Sequence, residues 1–208
     1  MMMTNYLYLM RHGQTLFNVR RKIQGWCDAP LTELGVEQSK VAGRYFETKK
    51  MIFSHVYSST SERACDTLEY VTNQPYTRLK GLKEWNFGTF EGESEDLNPP
   101  LPYGNFFANY GGEEEKAFQR RTVETCRDLM KRGDTVLAVT HGAFCGQFRL
   151  YWDQLAEEPM KLSKGRGAIG NCCIFKYEVN DDTFKLVEII NHDQQVEYLK
   201  EVTPDVSQ

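Results

Sequence analysis

The chain has 208 residues, 40% of them hydrophobic and 26% charged, with a formal net charge of −4. This profile fits one soluble α/β domain, expected over residues 1–208, and excludes fibrous or disordered chains. The acidic balance argues against nucleic acid as a general partner, which needs a basic face. No apolar run approaches the length of a membrane span. Met1 to Asn5 leads into a strand pattern without the order of a signal peptide, so no membrane partner and a cytoplasmic location are expected. The six cysteines, Cys27, Cys65, Cys126, Cys145, Cys172 and Cys173, show no metal-ligand spacing and are read as reduced thiols, mostly in the core.

In chain order, Tyr6 to Met10 is a mostly apolar run that suits a strand buried on both faces. Arg11 and His12 fall at its carboxyl end, where ligands bind in such sheets, and Gly13 is expected to let the backbone turn and a ligand come close. Arg20-Arg21-Lys22 is a short basic run before Gln24-Gly25-Trp26, and a solvated turn or a substrate contact are both open there. Thr32 reads as an N-cap of a scaffold helix in which Val41, Ala42, Tyr45 and Phe46 recur at helical spacing. His55 opens the next strand as a structural or exposed residue. Val56 to Ser59 leads into a helix after Ser61, with Arg63 in its first turn. The helix dipole does not favour a cation there, so an anion is expected nearby. That helix should end near Asn73 and Pro75.

Tyr76 to Leu79 reads as another strand. Glu84 follows in a segment with Trp85, Phe87 and Phe90. A loop glutamate is ordinarily solvated surface, but aromatic neighbours desolvate a carboxyl and raise its pKa. Residues 93–112 hold Pro99, Pro100 and Pro102 among aromatic side chains and read as a lid-like insertion shaping a pocket. Glu113-Glu114-Glu115 should open a helix that turns basic at Lys131-Arg132 and stops at Gly133, the order the dipole favours. This acidic run is read as a helix start and not a metal site. Val136 to Val139 is a second buried strand, ending in Thr140-His141-Gly142, and Phe144, Phe148, Tyr151 and Leu155 mark the helix after it. Lys161 to Gly170 is basic and glycine-rich and reads as a solvated loop, with contact to a substrate anion open as the alternative. Cys172 to Val179 and Phe184 to Ile190 suggest a hairpin, with Cys172 and Cys173 pointing to opposite faces. His192, beyond it, is left out of the site.

Two strands delivering His-Gly to one sheet edge form a much rarer pattern than one. Arg11-His12-Gly13-Gln14-Thr15 with Asn18, Ser58-Ser59 with Arg63-Ala64, Glu84 in Leu82 to Gly92, and Thr140-His141-Gly142 together closely resemble the histidine phosphatase superfamily, the phosphoglycerate-mutase-like proteins. All four blocks occur in the family's order. The resemblance implies an α/β/α sandwich around a mostly parallel sheet with an antiparallel strand. It also implies catalytic roles for His12, Glu84, His141, Arg11 and Arg63, and substrate contacts at Asn18, Gln24, Gly25 and Gly142.

Chemically, phosphoryl transfer needs a ring of cationic donors and an in-line nucleophile. Arg11, Arg63 and a protonated His141 can supply the ring, and a neutral His12 whose far ring nitrogen donates to a backbone carbonyl can attack. Glu84 can protonate the leaving oxygen and later take a proton from water. With the cations doing a metal's charge work, no cofactor and no metal are expected. The reading is a phosphomonoesterase acting on a small phosphate monoester through a phosphohistidine at His12, as a monomer or homodimer. The alternatives are a phosphoglycerate mutase, which shares the four blocks, and a non-catalytic phospho-ligand binding protein. The Phe87 to Gly92 segment and the short stretch from Glu84 to His141 resemble the phosphatase branch more.

Overall fold

The computed structural model describes residues 4–131, 134–155 and 169–191. Among the described residues six strands form one sheet: β1 (Asn5–Arg11), β2 (His55–Ser59), β3 (Thr77–Leu79), β4 (Thr135–Thr140), β5 (Ile174–Asn180) and β6 (Thr183–Ile190), in the order β3-β2-β4-β1-β5-β6. The pairs β1–β4, β2–β4 and β2–β3 are parallel, whereas β5 is antiparallel to both β1 and β6. Only β5 therefore runs against the rest, as expected of a mostly parallel mixed sheet.

Side chains alternate across the sheet and build two cores. On one face Leu7, Leu9, Val136 and Ala138 meet Phe118, Cys126, Phe144 and Phe148 from α4 (Glu115–Met130) and α5 (Gly142–Asp153). On the other, Tyr8, Met10, Leu137 and Val139 meet Ala42, Phe46, Ala64 and Leu68 from α2 (Glu33–Thr48) and α3 (Glu62–Val71). This is the expected α/β/α sandwich. Among the described residues no helix is long and apolar enough to cross a membrane. Thr32 caps α2 by accepting from Gly35 N.

Several local expectations change. A short helix, α1 (Leu16–Val19), closes the first loop through a capping box between Thr15 and Asn18. The acidic run does not open α4 as a unit. Glu114 is the N-cap, and Glu113 stands outside the helix because its carboxylate takes the Arg121 fork at 2.9 and 2.8 Å and accepts from Asn86 N at 2.9 Å. The expected stop at Gly133 and the basic Arg132 lie outside the described residues, as do His192 and residues 161–168. Cys172 is not in a strand: it adopts φ +57 before β5 begins. The two cysteines still serve opposite faces, since Cys172 belongs to one core and Cys173 to the other.

Residues 93–112 carry two short 3-10 turns, Glu95–Leu97 and Phe107–Tyr110. Phe107 is fully buried and makes edge contacts with Phe87, Phe90 and Tyr103, so this end of the segment is part of the core. Its other end is strapped to the Arg21–Ile23 stretch by Ile23 N to Glu93 O at 2.8 Å and Glu95 N to Arg21 O at 2.9 Å. Arg21 itself is exposed and pairs with Asp96 at 2.7 Å, which makes it part of this surface strap.

Candidate active site

The parallel strands β2, β4 and β1 lie side by side, and each sends a residue from beyond its carboxyl end to one place: Arg63 after β2, His141 after β4 and His12 after β1. The register pairs Arg11 with Thr140, so the two histidines are the first residues beyond the paired stretch. Their ring centroids are 5.3 Å apart. His12, His141, Arg63 and Glu84 are all buried.

His12 Nδ1 lies 2.7 Å from Gly13 O. A carbonyl can only accept, so the proton sits on Nδ1 and Nε2 carries the lone pair. That lone pair accepts from Arg63 Nε at 3.3 Å. Burial, then the charges of Arg63 and Arg11, hold the His12 pKa well below its ordinary value. The loop is fixed from behind. His12 O accepts from Asn171 Nδ2 at 3.1 Å and from Cys172 N at 3.2 Å, and Gly13 N donates to Thr67 Oγ1 at 2.9 Å. The close approach at Gly13 is to the protein itself, not to space for a ligand: a Cβ there would lie 2.5 Å from Gly35 O.

Arg63 uses every guanidinium nitrogen. Nη1 donates to Cys27 O and Asp28 Oδ1, both at 2.9 Å, and Nη2 donates at 2.8 Å to Gly25 O and to His141 Nδ1. With Nδ1 accepting, His141 carries its proton on Nε2 and donates to Ser59 Oγ at 2.8 Å. Burial and then Arg63 keep the His141 pKa well below the ordinary range. The expected protonated His141 is therefore corrected to a neutral ring, because Arg63 already occupies the nitrogen a proton would take. The anion expected at the start of α3 is Asp28, which also accepts from Glu62 N at 2.6 Å.

Glu84 lies against the start of α5. Oε1 accepts from Phe144 N at 3.0 Å and Trp85 N at 2.9 Å, and Oε2 accepts from Ala143 N at 2.9 Å. The N-cap His141 makes no side-chain cap bond, so Glu84 satisfies donors the helix would leave open. Burial raises its pKa, against the opposing pull of these N–H groups and of Arg63 and Arg11.

Arg11 donates to Ile169 O from Nη1, while its Nε and Gln24 Nε2 are buried without a partner among the described residues. Gln24 Oε1 accepts from Thr15 Oγ1 at 2.7 Å. Asn18 accepts from Thr15 N at 3.0 Å and Asn171 Nδ2 at 3.3 Å. Gly142 faces Arg11, whose Nε would be 3.3 Å from a Cβ there. Gly25 is held in place: a Cβ would meet Trp85 O at 2.2 Å.

Glu91, the other carboxylate of the Glu84 segment, accepts from the N–H groups of Gly25, Trp26, Cys27 and Phe87 at 2.8–3.1 Å. Its carboxylate is committed to shaping the loop around Arg63. Sequence reasoning passed over Asp28 and Asn171 as site-building residues. The signal was the anion that Arg63 calls for in the first turn of its helix, which does not by itself say that Asp28 supplies it. Among the described residues no group of three or more His, Cys, Asp and Glu side chains is placed to share a metal ion.

Known proteins resemble the chain at two levels. It is 35% identical over 139 residues to the 2,3-bisphosphoglycerate-dependent phosphoglycerate mutase 2 of Lactiplantibacillus plantarum, covering 64% of this chain and 56% of the relative. It is 28% identical over 185 residues to the corresponding mutase of Parvibaculum lavamentivorans, covering 75% and 83%. The chain thus spans little more than half the length of the first of these and of the matching mutase of Buchnera aphidicola subsp. Schizaphis graminum, 56% in each case. Among solved structures, Bacillus stearothermophilus YhfR superposes with a TM-score of 0.72 at 30% identity, covering 88% of this chain and 95% of that one. A phosphoserine phosphatase from Entamoeba histolytica, in complex with 3-phosphoglyceric acid, gives 0.70 at 26%, covering 90% and 98%. A family model matches residues 7–192, nearly all of the sheet and every residue of the two-histidine site, and by it the chain belongs to the histidine phosphatase superfamily, branch 1.

Proposed function

We propose that this chain is a phosphomonoesterase acting, as a single domain, on a small phosphate monoester through a phosphohistidine at His12. The observation that carries this reading is the pairing of His12 Nδ1 with Gly13 O, which leaves a neutral Nε2 lone pair facing the Arg63 guanidinium. The buried donors Arg11 Nε and Gln24 Nε2 support it, since an anion is what would satisfy them.

In the first step His12 Nε2 forms a bond to phosphorus as the ester P–O bond breaks. The electron pair goes to the leaving oxygen, which takes the proton of Glu84. A carboxyl with a raised pKa suits that task. Arg11 and Arg63 neutralise charge on the equatorial oxygens. In the second step water attacks phosphorus, gives its proton to Glu84 and releases inorganic phosphate, restoring the lone pair on His12. His141 enters neutral, and an incoming dianion would draw a proton to its Nδ1 as Arg63 turns to the substrate.

Rapid quench during turnover should trap one phosphoryl group on His12, labile in acid and stable in base, and His12→Ala should lose it. A phosphoryl group on serine, or full activity in the variant, would refute the mechanism. A mutase is the second reading, favoured by the names of the relatives above. Phosphoglycerate supplied alone should release inorganic phosphate from a phosphatase, whereas isomer exchange much faster than phosphate release would mark a mutase.

A further inference from the structure

Between the 3-10 turns Lys80–Leu82 and Gly88–Phe90 the backbone forms no helix or strand, so its polar groups must find partners elsewhere. Glu84 lies in this stretch. Arg121, on α4, supplies several of those partners: Nη1 donates to Gly81 O at 2.8 Å and to Lys83 O at 2.7 Å, and Nη2 donates to Glu84 O at 3.0 Å. Its remaining donors go to Glu113, Nε to Oε1 at 2.9 Å and Nη2 to Oε2 at 2.8 Å. Every N–H group of the guanidinium is thus used. Glu113 closes the other side of the segment: Asn86 N donates to its Oε2 at 2.9 Å, Trp85 Nε1 donates to its carbonyl at 2.8 Å, and its own N–H donates to Asn86 O at 2.8 Å.

The grip reaches the peptide of the proposed proton donor itself. Glu84 O takes two donors, Arg121 Nη2 and Trp26 Nε1, both at 3.0 Å, so the backbone from which the carboxyl projects is held from two directions. The carboxyl is met in turn by Ala143 N and Phe144 N in the first turn of α5. The two helices are joined beside this point: the Arg121 guanidinium lies 4.8 Å from the centroid of the Phe118 ring, and that ring lies 6.3 Å from Phe144. Hence α4 holds the backbone of Glu84 while α5 holds its side chain. Glu113 offsets the charge of Arg121, so the segment is fixed without a net charge being added next to it. A lysine could not replace this fork, because an ammonium is a point charge and cannot span acceptors spread over a plane.

We propose that Arg121, clamped by Glu113, is a positioning residue for Glu84, holding its peptide so that the carboxyl meets the leaving oxygen. The inference deepens the proposed function and rests on it. Two variants test it. Arg121→Lys keeps a charge opposite Glu113 but loses the fork, and Arg121→Met combined with Glu113→Gln removes the pair without leaving a lone carboxylate. In both, single-turnover cleavage of propyl phosphate should slow by about 10- to 100-fold, the scale expected for a reacting group misplaced by about 1 Å. Cleavage of p-nitrophenyl phosphate, whose leaving group needs no proton, should change by about two-fold at most. A second readout needs no turnover. Amides in the first turn of a helix have no intrahelical acceptor, so the protection of Ala143 and Phe144 against deuterium exchange reports whether Glu84 is in place. That protection should fall about ten-fold or more in both variants, relative to the amides of Leu9 and Met10 in β1. Equal slowing of the two esters, unchanged protection at Ala143 and Phe144, or loss of the native fold in both variants overturns the positioning role. If the protection falls while the wild type cleaves neither ester, the phosphatase reading fails and the grip on Glu84 stands.

Discussion

Arg63 donates from Nη2 to His141 Nδ1 across 2.8 Å, and this bond decides the charge state of the histidine. An arginine is never an acceptor, so a proton can reach that nitrogen only if the guanidinium swings away. His12 is in a similar position, its Nε2 facing Arg63 Nε at 3.3 Å. Burial and this one cation together therefore keep two imidazoles neutral.

This sets the direction of the acid response. Both histidines have folded pKa values below the ordinary 6.5, so as pH falls the unfolded chain binds protons first. Their contribution to stability is full above about 6.5 and is lost as pH drops through that value. Glu84, with a raised pKa, works the other way: its contribution is present below the ordinary 4.5 and is lost as pH rises above it. Calorimetric melting should show a midpoint that falls from about pH 8 to about pH 5, and a His12→Asn, His141→Asn double variant should flatten the fall. A wild-type midpoint independent of pH in that window would mean that the rings are not held neutral.

The role of Glu84 is tested by the leaving group. Glu84→Gln should slow cleavage of alkyl phosphates by roughly two to four orders of magnitude, the usual scale of general acid catalysis. A p-nitrophenolate departs without a proton, so the pre-steady-state burst on p-nitrophenyl phosphate should suffer less and be followed by a slow steady state. Equal losses for both leaving groups in the burst would remove Glu84 as the acid.

Glu91 belongs to a different category. It receives four backbone N–H groups and fixes the loop whose carbonyls grip Arg63. Glu91→Ala should cost about 2–3 kcal/mol in a urea titration, as expected when hydrogen bonds to a charged group are lost. The Michaelis constant should rise, with the alkyl-to-aryl rate ratio unchanged. A changed ratio with native stability would reassign Glu91 to the chemistry.

In the proposed reaction Arg11 and Arg63 would supply the charge stabilisation. Activity should survive exhaustive treatment with EDTA, and vanadate should inhibit competitively as a mimic of the pentavalent transition state. A strict requirement for added magnesium or zinc, restored by titrating the ion back, would refute it.

The sheet was legible in the sequence because its strands are short apolar runs whose ends carry polar residues. Tyr6 to Met10 and Val136 to Val139 both lie within the observed strands β1 and β4. His12 and His141 were legible because each lies within two residues of the end of such a run, and Arg63 because a cation in the first turn of a helix opposes the dipole. What could not be read was the set of long-range bonds. Asp28 meets Arg63 across 35 positions, and Asn171 meets His12 across 159. No periodicity relates such pairs. Glu113 was misread because a cluster of acids before a helix suggests a favourable dipole, and the competing Arg121 fork is visible only once the helix is folded. Cys172 was misread because an apolar pair before a strand suggests more strand, while the backbone turns through a left-handed residue to offer its N–H to His12 O.

The pairing of Arg11 with Thr140 makes the sheet a ruler for the two histidines. Their spacing is set by the hydrogen-bond ladder between central strands and not by a hinge or a flexible loop, so no local fraying can widen it. A strand slipped by one residue would shift one ring by about 3.3 Å and turn it to the opposite face. The machinery is thus as durable as the most protected backbone in the molecule. Under increasing denaturant, phosphate release should vanish in the same transition as the far-ultraviolet signal of the sheet, and the amides of Leu9, Met10, Ala138 and Val139 should be among the last to exchange with deuterium.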